Sequence, residues 1–324
     1  MRVALIGIGS AGRRGHLPVL GRLQREGLLT LVAVADHHGN YRAACACDCR
    51  PARFRDGARL LESVEADLIV LASEPASHAD LIALAVAHGR HILCEKPLTV
   101  TVAQHTRLAA TLSSDLAFLA VHQYRYSPTW GPVARWARRA ARLHLPVSIS
   151  AEVHRRGTDA HAVTPWRLDR SHSGGVLADH GSHFLALAWS MAHHLKAFSA
   201  RRASDPGDAE TICARALAGR GEMTLLITNG AQTRHTRVKL ECGAATFTWA
   251  DHRATLRVAG RPVSTWLTPA LSDRQHVDAL YLPLYRDLLA NIRNASWCQE
   301  RRAEALAVNG TLVELLASAD RVHA

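Results

Sequence analysis

Three short stretches carry residue types at spacings that could do chemistry. Gly7-Ile8-Gly9-Ser10-Ala11-Gly12 is a G-x-G-x-x-G turn directly after the apolar run RVALI. Gly7 permits a tight turn, Gly9 lets backbone approach a pyrophosphate, and Gly12 lets a following helix pack on the strand. That helix's first N–H groups and positive dipole end suit phosphates. Glu95-Lys96-Pro97 holds one of only three lysines, Lys96, Lys196 and Lys239, so that 36 of the 39 basic residues are arginine. An ammonium can give up a proton near neutral pH where its surroundings lower its pKa, and a guanidinium cannot. Lys96 is therefore either chance or a proton carrier. Asp179 and His183 stand four residues apart in SGGVLADHGSHFLALAW, and share a face if a helix runs there. A carboxylate one turn before a histidine orients the ring and makes a general acid/base pair. The alternative is an N-capping aspartate beside a satisfied interior histidine. Gly174, Gly175 and Gly181 would let a ligand come close to backbone here.

The elements that must position these residues follow from the apolar pattern. RVALIGI, LLTLVAVAD, ADLIVLAS, HILCE and LAFLAVH alternate with helical patterns at 13–26, 39–47, 56–63, 77–89 and 101–113. Continuous apolar strands alternating with helices predict βαβ units and a parallel sheet covered on both faces. The second strand ends at Asp36, 24 residues beyond Gly12, where a carboxylate accepts from ribose hydroxyls and repels a 2′-phosphate. NAD is favoured over NADP, and His37 and His38 soften that preference. The alternative for Asp36 is a turn residue capping the next helix.

Beyond residue 123 a helix at 128–142 leads into PVSISAEVH, then into ETICARALA, GEMTLLITNG, TRVKLECG, AATFTWA and ATLRVAG. These predict a mostly antiparallel sheet with one open face, with Asn229-Gly230 as a hairpin-type turn. Helices at 276–294 and 300–322 close the chain. The expected organisation is an α/β Rossmann domain over 1–122 and an α+β domain over 123–324, the last helices packing back on the first.

The chain's 324 residues suit two domains, and 48% hydrophobic with 21% charged content fits a soluble globular protein. No apolar run reaches membrane-spanning length and the N-terminal run is broken by glycines, so the expected compartment is the cytoplasm. Seven cysteines are expected to be reduced. Cys45, Cys47 and Cys49 lack the usual zinc spacing, and no metal is expected. The charge of +11 could signal nucleic acid, but scattered arginines and 5% aromatics give no stacking platform. Attraction of anionic cofactors or substrates is the milder explanation.

In order along the chain, GIGSAG, VAVAD, ASEPASHADLIALAVAHGRHILCEKPLT, HQYRYSP and PWRLDRSHSGGVLADHGSH resemble the Gfo/Idh/MocA family of NAD(P)-dependent oxidoreductases. The resemblance implies that Lys96, Asp179 and His183 are catalytic. It implies a cofactor site of Gly7, Gly9, Ser10, Ala11, Gly12, Asp36, His37, Ser73, Glu74, Pro75, His78, Glu95, Lys96, Gln123, Trp166 and Arg167. The substrate side would be Lys96, Tyr124, Arg125, Asp179, His180 and His183. Ser73-Glu74-Pro75 departs from the family's Thr-Pro, and Ala186 stands where an acid is common.

The expected chemistry is reversible hydride transfer between nicotinamide and a carbinol or carbonyl carbon of a sugar, cyclitol or amino-sugar-like substrate. His183 takes the hydroxyl proton, Lys96 hydrogen-bonds the developing alkoxide, Asp179 orients His183, and Glu95 positions Lys96 before a Pro97 that can be cis. Arg155 and Arg156 are expected to be solvated. Rival expectations are an imine or ketone reductase, an NAD-assisted glycoside hydrolase or epimerase, and a non-catalytic NAD-binding regulator. A homodimer or homotetramer through the open sheet is expected, with neither nucleic acid nor membrane as partner.

Overall fold

The computed structural model describes residues 1–42, 50–112, 115–156, 169–204, 210–251, 253–267 and 277–321. The chain forms two compact units. One comprises Met1–Thr99, Ala103–Gln123 and Val277–Leu306, and the other Val100–Val102, Tyr124–His276 and Ala307–Ala324.

The first unit is built on a parallel sheet of six strands: β1 (Arg2–Ile6), β2 (Thr30–Ala35), β3 (Ala52–Phe54), β4 (Leu68–Leu71), β5 (His91–Cys94) and β6 (Phe118–Ala120). Their order is β3-β2-β1-β4-β5-β6, and every neighbouring pair is parallel. The chain reverses its direction of travel across the sheet between β1 and β4. In open α/β sheets ligands bind at such a switch point, beyond the carboxyl ends of the strands. Residues 3–6 of β1 and all of β4 are buried, which is why both read as unbroken apolar runs.

Helices α1 (Leu17–Arg25), α2 (Gly57–Ser63), α3 (Pro75–Ala87) and α4 (Val102–Thr111) fill the connections. Their starts are written locally. Asp56 caps α2 by accepting from the Ala58 N–H at 2.8 Å, and proline stands in the first turn of α1 and α3. The predicted helix at 39–47 falls largely outside the described residues, as do Cys45, Cys47 and Cys49.

The second unit holds α5 (Trp130–Arg142), the short α6 (Arg170–Ser173) and α7 (Ser182–Ala192). Its eight strands are β7 (Ser148–Arg155), β8 (Leu195–Ser204), β9 (Glu210–Ala218), β10 (Gly221–Asn229), β11 (His235–Cys242), β12 (Ala245–Ala250), β13 (Arg253–Val258) and β14 (Arg261–Leu267). The order is β14-β13-β12-β11-β7-β10-β9-β8. Strict alternation of buried and less buried residues along β7, β10 and β11 puts one face on the core. Trp130 of α5 fills that core, its ring 5.8 Å from the rings of both Phe247 and Trp249. The chain closes with α8 (Val277–Asn291) and α9 (Ala295–Arg321).

Two expectations are corrected here. Asn229-Gly230 is not a hairpin: β7 lies between β10 and β11 and pairs parallel with the first and antiparallel with the second. Gly230 takes φ +89, and the Ala231 N–H donates to the Arg155 carbonyl at 2.9 Å, so this segment crosses the end of β7. Arg155 is not a solvated arginine. It is 7% exposed, and it donates to the Thr236 hydroxyl and the His154 carbonyl, both at 3.0 Å.

Candidate active site

At the carboxyl end of β1 the three glycines of the turn have distinct jobs. A Cβ on Gly7, whose φ is +97, would lie 2.5 Å from the Ala72 and Ser73 backbone. A Cβ on Gly12 would lie 2.1 Å from the Gly7 carbonyl oxygen. Both positions are closed by the protein's own backbone. A Cβ on Gly9 would meet nothing within 4 Å. Internal packing therefore does not demand glycine there, and an approaching pyrophosphate does. The residues present fit a dinucleotide.

Asp36 ends β2 and is 6% exposed. Its Oδ2 accepts from the Ile8 N–H at 2.8 Å, and Oδ1 accepts from the N–H groups of His38 at 3.1 Å and Asn40 at 3.0 Å. The carboxylate thus ties the glycine turn to the loop after β2. Each oxygen can accept more than one hydrogen bond, so this tie and a ribose contact are compatible. His37 and His38 are exposed, with their rings edge to face at 5.2 Å.

Ser73, Glu74 and Pro75 form the turn into α3, where the hydroxyls of Ser73 and Ser77 lie 2.7 Å apart. His78 is not placed to touch a ligand, because it is completely buried. Its Nδ1 lies 3.0 Å from the Pro97 carbonyl and its Nε2 lies 3.2 Å from the Ser73 carbonyl. It braces the loop after β4 against the loop after β5. Burial pushes the imidazole below its ordinary pKa, against the opposing pull of those carbonyls.

The Lys96–Pro97 bond is cis and Lys96 is half-buried. Glu95, 5% exposed, sits under that turn. Its Oε2 accepts from the Lys96 N–H at 3.2 Å. Its Oε1 accepts from the Tyr281 hydroxyl at 2.7 Å and meets His16 Nε2 at 3.2 Å. His16 Nδ1 in turn meets the Tyr285 hydroxyl at 2.8 Å. Burial pushes the Glu95 carboxyl up. The His16 hydrogen bond and charge, the Lys96 charge and the Tyr281 hydroxyl more than offset it, so the group lies below the usual carboxylate value. Burial, then the Glu95 charge, raise Tyr285 and Cys94 well above their ordinary values. A second buried group, His122, Glu304 and Arg301, stands just before Gln123, which is itself 9% exposed.

In the second unit, a π-helical turn over Leu177–Gly181 runs into α7 and carries Asp179 and His180. Single π turns recur at functional sites because they re-aim side chains within a helix. Gly174 at φ +70 leaves no room for a Cβ, which would lie 2.5 Å from that of Ala178. His183 is 6% exposed, and its ring stacks on Tyr124 at 4.2 Å and 20°. Asp179 Oδ2 lies 3.8 Å from His180 Nε2. Burial raises the Tyr124 phenol, Arg155 and Arg234 pull it down, and Asp179 raises it. Arg125 is half-buried. Trp166 and Arg167 lie outside the described residues.

His16, Tyr281 and Tyr285 are absent from the set expected from sequence. His16 is one of 20 histidines, and nothing local marks it except its place four residues after Gly12. The two tyrosines share a face of α8 at a four-residue spacing, which is equally the pattern of ordinary core.

The chain is similar to known proteins. An uncharacterized oxidoreductase of Synechocystis sp. is 26% identical over 220 residues, 64% of this chain and 57% of that protein. Inositol 2-dehydrogenase 1 of Saccharopolyspora erythraea is 27% identical over 167 residues, 51% of this chain and 49% of that one. The chain thus spans about half the length of these curated relatives. A 3-ketoreductase from Actinomadura kijaniata, crystallised with NADP and TDP-benzene, superposes with a TM-score of 0.77 at 17% identity, covering 98% of each chain. Residues 1–122 match the family model described as oxidoreductase family, NAD-binding Rossmann fold. Over residues 1–122, the chain is thus similar to the Gfo/Idh/MocA oxidoreductases.

Proposed function

We propose that the protein is an NAD-dependent dehydrogenase or reductase acting on a carbinol or carbonyl carbon of a sugar- or cyclitol-like substrate. The observation that carries this is the glycine turn, sealed at Gly7 and Gly12 and open at Gly9, in the same unit as a Lys96 turn held by buried Glu95. When bound, the nicotinamide supplies the acceptor or donor for hydride. Gly9 and the backbone around it receive the pyrophosphate, and Asp36 takes the ribose. His183 accepts the substrate hydroxyl proton in the oxidation direction, Lys96 donates a hydrogen bond to the substrate oxygen, and Asp179 orients His183. Stacking on Tyr124 holds the His183 ring in one plane, which suits a group that must meet one proton.

Polar groups cluster around Tyr124, and relatives include an inositol dehydrogenase and a 3-ketoreductase, so a polyol or its ketone fits better than an apolar ligand. The test is a panel of polyols, amino sugars and sugar phosphates with NAD and NADP, followed by nicotinamide absorbance. Net NADH formation with a polyol is expected. Turnover without net NADH, as in a hydrolase or epimerase, contradicts it.

The outward face of the second unit's sheet is proposed to pair with a second copy of the chain. Phe198, 66% exposed, lies there under the Arg215 guanidinium, 5.2 Å from its ring centre. Light scattering that gives a monomer rejects this.

A further inference from the structure

The buried cluster behind Lys96 does more than fill space. An ionised carboxylate can only accept, so His16 offers it Nε2–H, while Nδ1 lies 2.8 Å from the Tyr285 hydroxyl. Tyr281 donates to the same Oε1, while Oε2 takes the Lys96 N–H. The contacts run in series from Tyr285 through His16 to Glu95 and on to Lys96, and each member positions the next. The two ends lie on different elements. His16 is the last residue of the π-helical turn Gly12–His16, whose first residue is the final glycine of the dinucleotide turn. Glu95 directly precedes Lys96 at the end of β5. Gly15 is part of the same construction: a Cβ there would lie 2.8 Å from the Tyr281 ring, so glycine lets α8 close on the turn.

We infer that His16 is a positioning residue which, through Glu95, couples occupancy of the glycine turn by a dinucleotide to the placement of the Lys96 turn. The inference rests on the proposed function only in seating the dinucleotide at that turn. The groups that face Glu95 are His16, Tyr281 and Tyr285, its neighbours Cys94 and Lys96, and His78 from α3. Among these, His16 alone belongs to the glycine-turn segment, so a link between the two turns through this cluster runs through its ring.

ADP-ribose separates coupling from direct contact, because it carries the pyrophosphate and lacks the nicotinamide. In hydrogen exchange on the full chain, saturating ADP-ribose should slow exchange roughly tenfold in residues 7–17 and also in 94–98. His16→Asn keeps a group near Nδ1 and loses the one that reaches Glu95. It should retain the first protection and lose the second. His16→Gln, whose amide overlays Nε2, should restore it, which a merely structural role would not do. If His16→Asn does not fold, the wild-type exchange pattern still decides the inference. Protection of 94–98 in His16→Asn equal to wild type, or its absence in wild type while 7–17 is protected, overturns the inference. No protection at 7–17 in wild type instead defeats the dinucleotide site itself, and the coupling with it.

Discussion

At the scale of single residues, buried carboxylates do the positioning. Glu95 is ionised inside the first unit because three donors converge on it. Its folded pKa lies below the ordinary value of 4.5. On acidification the unfolded chain therefore takes up this proton first. The stability Glu95 contributes is present in full above that ordinary value and is lost as pH falls through the lower folded one. Glu95→Gln should flatten this acid limb in melting temperature measured against pH. It should also cost about 1–3 kcal/mol at neutral pH, since an amide cannot accept with both ends. Lys96→Arg keeps the charge and removes the option of losing a proton. In steady-state assays it should lower turnover by ~10²–10⁴-fold, and equal turnover would remove Lys96 from the mechanism.

At the scale of elements, the loops after β4 and β5 are cross-braced by His78, and the glycine turn is tied to β2 by Asp36. His78 titrates below the ordinary imidazole value of 6.5 in the fold. Its contribution is complete above that value and is lost as pH falls through the lower folded one. His78→Gln should remove this slope in chemical denaturation and cost about 1–3 kcal/mol. An unchanged slope would show that the brace has no energetic weight.

What the sequence displays and conceals also divides by element. G-x-G-x-x-G, Glu95-Lys96-Pro97 and the buried parallel strands are local patterns, and they are where the sequence places them. Strand β14 is exposed on both faces along nearly its whole length, so it carries no alternation to find. Strand β8 is an edge strand studded with Arg201 and Arg202, and it too lacks the pattern. The insertion of β7 between β10 and β11 depends on partners about 70–90 residues apart, which no turn residue announces. The His16 cluster is hidden for the same reason: His16 and Tyr285 are 269 residues apart in the chain.

At the scale of the whole molecule, a charge of +11 favours capture of anionic ligands, and the parallel sheet offers them a switch point beside β1. Among the described residues, no helix is long and apolar enough to cross a membrane. The proposed function depends on a dinucleotide seated at the turn after β1. Gly9 separates that claim from mere folding, because a side chain there meets nothing in the protein within 4 Å. Calorimetric titration of NADH into wild type and Gly9→Val, with melting temperatures beside it, is the most direct measurement. The prediction is saturable single-site binding in wild type, and affinity lower by at least about tenfold in Gly9→Val, with stability within about 0.5 kcal/mol of wild type. No binding by wild type, or equal binding by a folded Gly9→Val, would contradict the dinucleotide site.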